Sequence, residues 1–383
     1  MRPLGAVLVL ASLAVLQPLH AAGLTAPEPL AHVYELILDA RFDEAHRQLQ
    51  QACPPAPEAA CQVLDAVSDY WQVLLDPEDS SRDPQLLGKI NTSIETAESW
   101  AAREPARAEA WFYVGGSYGT RVLLRGLRDQ YLAAARDGKR IHDSLRRAVT
   151  IDPTLKDAYF GLGLYHYYAA VAPTAARVLR FLLLLPAGDR AGGLKEMEQT
   201  RSQGVLLGGE ADYQLHLIYL WYEHQPMLAL RLVAGLRTRY PDNPIFYLRL
   251  ASVQSDYLHN NRASLQTYQA LLDAAREGRV ASPAISEVNA RLGMAAQMDA
   301  LCDTDRALEQ LRAVIASQPT APYAAVARAQ YQMGLLYDRV GRRSNAISAY
   351  NSALAANPSD DRLQLNSRVR AAIRRPMIAR ACR

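Results

Sequence analysis

The fold of this chain is decided by the stretch ARAQYQMGLLYDRVGRRSNAISAYNSALAANPSD, which covers residues 327–360. Small residues stand at Gly334 and Ala346, and tyrosines stand at Tyr337 and Tyr350. With this spacing, two helices can approach closely at the small residues while the aromatic rings fill the space beside the contact. The stretch therefore predicts two antiparallel, closely packed helices.

The ends of the two predicted helices are also marked. Gly341 breaks the chain between them, and Pro358 stops the second helix from continuing. In this arrangement the stretch resembles a tetratricopeptide repeat, a unit of about 34 residues. Gln330 and Met333 replace the Trp and Leu of that repeat, but the other positions keep its pattern. The resemblance implies a right-handed solenoid of stacked helix pairs that binds partners on its concave face.

Weaker copies of the same spacing extend toward the N-terminus. Trp111, Gly115 and Tyr118 take the Trp, Gly and Tyr positions of a first helix, and an insertion at residues 121–136 delays the second helix. Further copies are marked by Leu145, Ala148, Pro153, Tyr159, Leu162, Gly163, Tyr213, Ala229, Pro241, Tyr247, Ala263, Ala307, Leu311 and Pro319. Because no strand-like alternation interrupts them, we expect an all-α superhelical solenoid of about eight helix pairs.

The repeats divide the sequence into segments. Residues 1–22 are predicted to be a signal peptide, 23–107 degenerate N-terminal helix pairs, and 108–209 tetratricopeptide-like pairs with insertions. Residues 210–360 are predicted to form tetratricopeptide-like repeats, and residues 361–383 a C-terminal capping helix and tail. A chain of 383 residues is long enough for one continuous solenoid of this kind.

A last helix is predicted because Leu365, Val369 and Ile373 share one face. A solenoid needs such a cap to cover its final apolar edge. The opposite face carries arginines that could attract anionic lipid or acidic protein, or that could form an ordinary solvated surface. These arginines are Arg368, Arg370, Arg374 and Arg375.

The first residues predict the compartment. Arg2 precedes an apolar run at residues 4–16, and Ala21 and Ala22 supply the small residues of a cleavage site. This pattern is typical of a secretory signal peptide. It predicts an extracytoplasmic protein, either periplasmic or associated with the cell envelope. An uncleaved N-terminal anchor is the alternative.

Four cysteines are consistent with export. Cys53 and Cys61 flank a Pro-rich loop that could bring them together as a disulfide. Cys302 and Cys382 could pair or stay free, and the sequence alone does not choose the connectivity. Four ordinary small core residues are the alternative.

An apolar insertion at residues 170–186 breaks the repeat pattern. Between Pro173 and Pro186 it spans about twelve residues, fewer than the ~20 that a membrane-spanning helix needs. We expect it to pack into the solenoid, or to lie on a membrane surface or in a partner's groove.

The region around this insertion, residues 159–222, is similar to the inclusion-body clearance family of tetratricopeptide proteins, known from mitochondrial outer membranes. The similarity rests on FGLGLYHYY and RVLRFLLLLPAGDRAGGL, with Gly161, Gly163, Gly188, Asp189, Arg190, Gly193 and Leu194 as the clearest points. It implies a helix-pair solenoid with an apolar insertion. Because the members of that family are not exported by a signal peptide, we transfer neither location nor partner.

The sequence offers no recognisable catalytic or metal motif. The eight histidines form no H-E-x-x-H pattern, the cysteines form no C-x-x-C pair, and no glycine-rich stretch ends in Lys-Ser or Lys-Thr. We therefore predict no catalytic residues, no metal, no cofactor and no enzyme activity, although a site assembled from scattered residues would leave no such trace. The net charge of +3 is too small to predict a nucleic-acid partner.

The resemblance to tetratricopeptide repeats implies that the first helix of each pair lines the groove. Counted from that register, the predicted partner-binding residues are Phe112, Phe160, Tyr167, Gln214, Trp221, Tyr331 and Asp338. Such an aromatic and aliphatic groove favours a peptide with apolar side chains over an acidic tail. An error of one residue in the register would instead place these side chains between neighbouring repeats.

The resulting functional prediction is an exported, non-enzymatic scaffold or adaptor that binds protein or peptide partners on its concave face. The alternative is a membrane-surface adaptor that uses residues 170–186 and the basic C-terminal helix for peripheral membrane contact.

Overall fold

The computed structural model describes residues 23–172 and 187–377. The predicted signal peptide and most of the apolar insertion lie outside the described residues, as does Cys382. Within the described ranges the chain is helical and contains no strand.

The described residues form seventeen α-helices. These are α1 (Pro27–Leu38), α2 (Phe42–Ala52), α3 (Glu58–Val73), α4 (Asp83–Arg103), α5 (Ala108–Leu127), α6 (Tyr131–Ile151), α7 (Ala158–Val171), α8 (Arg190–Gln203), α9 (Gly208–Trp221), α10 (Pro226–Arg239), α11 (Pro244–Ser252), α12 (Asn261–Arg276), α13 (Pro283–Ala300), α14 (Thr304–Ser317), α15 (Ala325–Arg339), α16 (Arg343–Ala356) and α17 (Leu365–Arg374). A π-helical turn, Val253–Tyr257, continues α11. The first sixteen helices are eight consecutive pairs, and most of their contacts are with neighbours in the chain, as in a solenoid.

The repeat at residues 327–360 forms the helix pair α15 and α16. A Cβ atom on Gly334 would lie only 2.4 Å from the ring of Tyr350, so the two helices meet at this glycine. Gly341 lies between the helices with a φ of +73°, a left-handed conformation that favours glycine. The predicted roles of these residues are confirmed.

The same close contact recurs in other pairs. A Cβ on Gly115 would lie 2.4 Å from Leu145, and one on Gly163 would lie 2.7 Å from the carbonyl oxygen of Gly193. Both glycines stand where the repeat pattern predicted a small residue. The pattern therefore reports helix–helix packing well beyond the clearest repeat.

The predicted insertion at residues 121–136 is not a separate segment. It lengthens α5 to 20 residues and α6 to 21 residues, whereas α16 has 14. The buried carboxylate of Asp137 pairs with both Arg121 and Arg125, which ties the extended ends together. Since the inserted residues have helical propensity and find these partners, they continue the helices rather than leave them.

The final helix caps the solenoid, as predicted. Leu365, Val369 and Ala372 are buried in one cluster with residues of α15 and α16. Arg343 donates hydrogen bonds to the carbonyl oxygens of Ala372 and Ile373 at the end of α17. The last apolar edge is thereby covered.

Contacts between distant parts of the chain pack the N-terminal helices against helices that come later in the sequence. Trp71 of α3 is fully buried, with its ring 5.0 Å from that of Tyr213 and 5.8 Å from that of Phe246. Asn243 accepts a hydrogen bond from the N–H of Ile245 at the start of α11, and its amide donates one of 2.7 Å to the carbonyl oxygen of Leu38. A single hydrophobic cluster therefore runs from α1 to α11.

Candidate functional site

The first helices of three consecutive pairs, α11, α13 and α15, line a cavity of about 740 Å³ together with α17. The loop after α3, residues 74–78, lines the same cavity. We call this cavity the central chamber. It lies on the side of the solenoid that the repeat pattern assigned to partner binding.

The loop at residues 74–78 is tied to the C-terminal repeats by two hydrogen bonds. The backbone N–H of Tyr323 donates to the carboxylate of Asp76 at 2.8 Å, and Arg362 donates to the carbonyl oxygen of Glu78 at 2.6 Å. Burial raises the pKa of Asp76, while the hydrogen bond from Tyr323 opposes that shift. On the N-terminal side, Arg128 donates to the carbonyl oxygen of Pro77. The loop thus bridges two distant parts of the solenoid.

The walls of the chamber are rich in arginine: Arg249, Arg328, Arg339 and Arg368. Arg339 pairs with Asp299, and Arg368 lies 5.1 Å from the centre of the Tyr331 ring. In the part of the chain that the structure describes, no carboxylate forms an ion pair with Arg249, Arg328 or Arg368. Burial lowers the pKa of Arg328, and the nearby carboxylates of Asp76 and Glu78 oppose that shift.

Only one of the predicted partner-binding residues reaches the chamber. Tyr331 is partly buried and lines it. Trp221 is 47% exposed, but it lies at the end of α9 and does not line this cavity. Phe160 is partly buried against a cluster that contains Tyr167 and Met197.

The other four predicted residues are buried, which corrects their assignment to an open groove. Phe112 packs edge-on against Tyr113, with ring centres 5.0 Å apart. Gln214 donates a hydrogen bond of 3.1 Å to Glu210 inside the core. The physical reason is that α1 and α3 pack against α9 and α11, so that concave positions in this region become core.

Tyr167 and Asp338 have structural partners instead of exposed surfaces. Tyr167 is fully buried and donates to Glu223. Asp338 is buried between Arg343, whose guanidinium is 2.8 Å away, and Tyr350, whose hydroxyl donates at 2.9 Å. A carboxylate held in this way stabilises the repeat and is not available to a partner.

Sequence reasoning missed the chamber arginines and the loop that meets them. No pattern in the sequence assigned a role to this loop. Its contact with Tyr323 joins residues 247 positions apart, and no local pattern reports such a contact. The available signal was the run of two leucines followed by acidic residues at positions 74–79.

Outside the chamber, the structure joins Cys53 and Cys61 in a disulfide. Cys302 is also disulfide-bonded, whereas Cys382, with which it could pair or not according to the sequence, lies outside the described residues. Among the described residues, no group of three or more His, Cys, Asp or Glu side chains could hold a metal ion.

Across residues 23–172 and 187–377, no helix combines the length and the apolar character needed to cross a membrane.

Comparison with known proteins finds solved structures with a similar fold. No protein-family model matches the chain, and no curated protein matches it in sequence. It is similar to a chain in the crystal structure of the APC/C hetero-tetramer Cut9–Hcn1, with 13% sequence identity and a TM-score of 0.50 over 88% of this chain and 54% of that chain. This chain therefore spans about half the length of the one that it matches. It is also similar to the human IFIT1 dimer with PPP-AAAA, with 13% identity and a TM-score of 0.41 over 91% of this chain and 86% of that one.

These neighbours contain tetratricopeptide repeats. Together with the eight helix pairs and the absence of strands in the described residues, the likeness to Cut9–Hcn1 shows an all-α tetratricopeptide solenoid. The likeness of residues 159–222 to the inclusion-body clearance family stays a prediction.

Proposed function

We propose that this protein is an exported, non-enzymatic scaffold that binds a segment of another protein in the central chamber. The chamber carries the proposal: it is a cavity of about 740 Å³ formed by first helices of consecutive repeats. Pockets that hold ligands have volumes of about 300–1,000 Å³. The chamber therefore suits a short segment better than a folded domain.

The lining supports recognition of a protein segment. It combines the partly buried ring of Tyr331 with the apolar side chains of Leu335 and Leu363 and with several arginines. Aromatic residues and arginine are enriched among the residues that contribute most to protein interfaces. Export is supported by the signal-like N-terminus and by the disulfide between Cys53 and Cys61, since disulfides persist mainly in oxidising compartments.

Site-specific photo-crosslinking in the native host tests this proposal. A photoreactive residue in place of Gln332, which lines the chamber, is expected to capture a defined partner. The matched control is the same residue in place of Ser348, which is exposed on α16. The captured protein is then purified and mixed with this chain. Equal capture at both positions, or no binding between the purified proteins, contradicts the proposal.

The membrane-surface alternative is supported by one observation, the exposed arginines on the last helix. Arg370, Arg374 and Arg375 are all exposed, and basic residues at a surface attract anionic lipid in a salt-dependent way. If this alternative holds, the mature protein floats with anionic vesicles at low salt and is released at high salt. The absence of flotation at low salt contradicts it.

A further inference from the structure

The exposed apolar side chains of the molecule are concentrated on one edge of the solenoid. Because the antiparallel helix pairs stack in the same orientation, the turns from first to second helix lie along one edge, which we call the turn edge. Ten large apolar side chains are exposed in the described residues, and eight of them lie at or beside these turns. The other two are Val205, at a turn on the opposite edge, and Met377, after α17. Scattered exposed apolar residues are normal, but their concentration on one side marks an interaction site.

The densest part of the turn edge lies around the end of α9. Trp221, Tyr222 and Met227 occupy the turn from α9 to α10, and Tyr131 and Leu132 stand at the start of α6. All five side chains are between 41% and 67% exposed. Tyr131 lies within electrostatic reach of Tyr222, which places the two groups side by side. We call these five residues the α9 cluster.

The turn edge continues toward the C-terminus with one exposed apolar side chain at each following turn. These are Tyr257, Leu301 and Val340, which lie at the ends of the first helices α11, α13 and α15. A residue with positive φ reverses the chain tightly at each of these turns, as His224 does after α9. None of the eight side chains lines the central chamber. The turn edge is therefore a row of separate apolar tips.

The charged groups of the α9 cluster are largely compensated. Glu223 accepts a hydrogen bond of 2.8 Å from Arg190 and another from the hydroxyl of Tyr167. The carboxylate of Asp129 accepts one of 2.5 Å from the hydroxyl of Tyr131. Since an isolated charge is costly to remove from water, these partners lower the cost of placing the cluster against an apolar phase.

Both described ends of the apolar insertion lie beside the α9 cluster. Gly188, just after the insertion, packs against the backbone of Ala170, just before it. The ring of Tyr168, one turn of chain away, has its centre 5.5 Å from that of Tyr222. The intervening sequence contains the run FLLLL at residues 181–185. The most apolar part of the exposed surface and this apolar sequence therefore belong to the same place on the turn edge.

A lipid surface fits this row of tips better than a protein surface does. Trp and Tyr are enriched at membrane–water interfaces, because the ring contacts apolar chains while its polar group stays in water. At a protein interface, each anchoring side chain fills a shaped pocket of the partner. A fluid lipid interface accepts separated tips without matching shapes, and binding strength scales with the apolar area that enters it.

We propose that the turn edge, with the α9 cluster at its centre, is the surface by which this protein binds a lipid bilayer. The inference goes beyond the proposed function, because none of these side chains lines the central chamber. A bilayer and a partner segment would therefore use different residues. The contact is apolar, which also separates it from a membrane contact made by the arginines of α17.

Flotation of the full mature chain with vesicles of pure phosphatidylcholine tests this inference. The wild type is expected to float at low and at high salt, because an apolar contact is not screened by ions. The double variant Trp221→Ala with Met227→Ser is expected to lower the partition coefficient at least about tenfold. The matched control is Val205→Ser, which removes an exposed apolar side chain from the opposite edge and is expected to leave flotation unchanged.

Vesicles with brominated acyl chains locate the contact in a second way that does not depend on the double variant. Bromine quenches the fluorescence of a tryptophan that contacts the chains. The wild type is expected to be quenched, and Trp221→Phe to lose that quenching, because Trp71 and Trp100 are buried and Trp111 lies at the start of α5, on the opposite edge.

Several results would overturn the inference. One is the absence of flotation with phosphatidylcholine at low salt, and another is equal flotation of the double variant and Val205→Ser. Flotation that requires anionic lipid and disappears at high salt would assign the contact to Arg370, Arg374 and Arg375 instead. Capture of a protein by a photoreactive residue in place of Met227, without lipid binding, would assign the turn edge to a protein partner. Capture at Gln332 tests the central chamber separately from all of these.

Discussion

The N-terminal helices and the C-terminal repeats are built from the same kind of helix pair, but their concave faces differ. In the C-terminal repeats, Tyr331 on a first helix lines an open chamber. In the N-terminal half, Phe112 and Tyr167 on first helices are buried. Phe112 belongs to the cluster in which α1 and α3 pack against α9 and α11, whereas Tyr167 is buried in a second cluster with residues of α8 and α9. Local contacts therefore determine the fold of each helix pair. The exposure of its first helix depends instead on which distant helices pack against it.

The largest expected effect comes from Trp71, the ring at the centre of the long-range packing. Trp71→Ala removes a fully buried side chain between Tyr213 and Phe246 and is expected to lower the free energy of unfolding by about 3–5 kcal/mol. Denaturation in urea measures this change. The control is Trp221→Ala, which removes a 47% exposed ring and is expected to change stability by about 0.5 kcal/mol or less. Equal losses of stability in the two variants would contradict the distinction between the buried packing around Trp71 and the exposed surface at Trp221.

A smaller effect is expected at the contact inside the clearest repeat. Gly334→Ala places a methyl group against the ring of Tyr350 and is expected to lower the free energy of unfolding by about 1–3 kcal/mol. Gly235→Ala is the matched control, because nothing lies within 4 Å of a Cβ at this exposed position in α10. There, the gain in helix propensity is expected to raise stability by about 0.5–1 kcal/mol. Thermal unfolding of both variants shows whether each substitution lowers or raises stability. A loss of stability in Gly235→Ala would contradict this account.

A third expected effect is a pH dependence of stability that arises from the buried His216. His216 is fully buried with both ring nitrogens unpartnered in the described structure, and burial lowers its pKa to about 3. In the unfolded chain its pKa is about 6.5. Because the unfolded state binds the proton first, the neutral ring contributes full stability above about pH 6.5 and loses it as the pH falls toward 3.

The slope of this loss is about 1.4 kcal/mol per pH unit. A His216→Leu variant is expected to lack this pH-dependent loss of stability. The difference in unfolding free energy between the variant and the wild type is therefore expected to change by about 1.4 kcal/mol per pH unit between pH 6 and 4. Urea denaturation at several pH values measures the difference, in which the other titrating groups cancel. His32→Gln, at an exposed position, is expected to keep the wild-type slope. If the unfolding free energies of His216→Leu and the wild type changed with pH by the same amount, the prediction would be contradicted.

The sequence predicted the local parts of the fold because those parts depend on short spacings. Gly334 and Tyr350 meet as expected, and Leu365 and Val369 close the last repeat. Helix pairs and their cap follow from which small and apolar residues share a face. The extra residues around position 121 were less predictable, since a helix can absorb an insertion by growing longer when partners such as Asp137 are available.

The candidate site was mostly beyond local reasoning. Asp338 and Gln214 occupy first-helix positions, but contacts with Arg343 and Glu210 bury them. The chamber depends on Asp76 meeting Tyr323 across 247 residues, which the repeat period does not encode. Tyr331 was predicted to line the groove, and it lines the central chamber.

Hydrogen exchange at the backbone amide of Tyr323 tests most directly whether the N-terminal loop at residues 74–78 packs against the C-terminal repeats. This amide donates to the carboxylate of Asp76 at 2.8 Å. Protection of the amide in the wild type, with exchange at least about tenfold faster in Asp76→Ala, is the result that the structure predicts. Equal exchange rates for the wild type and Asp76→Ala would contradict it.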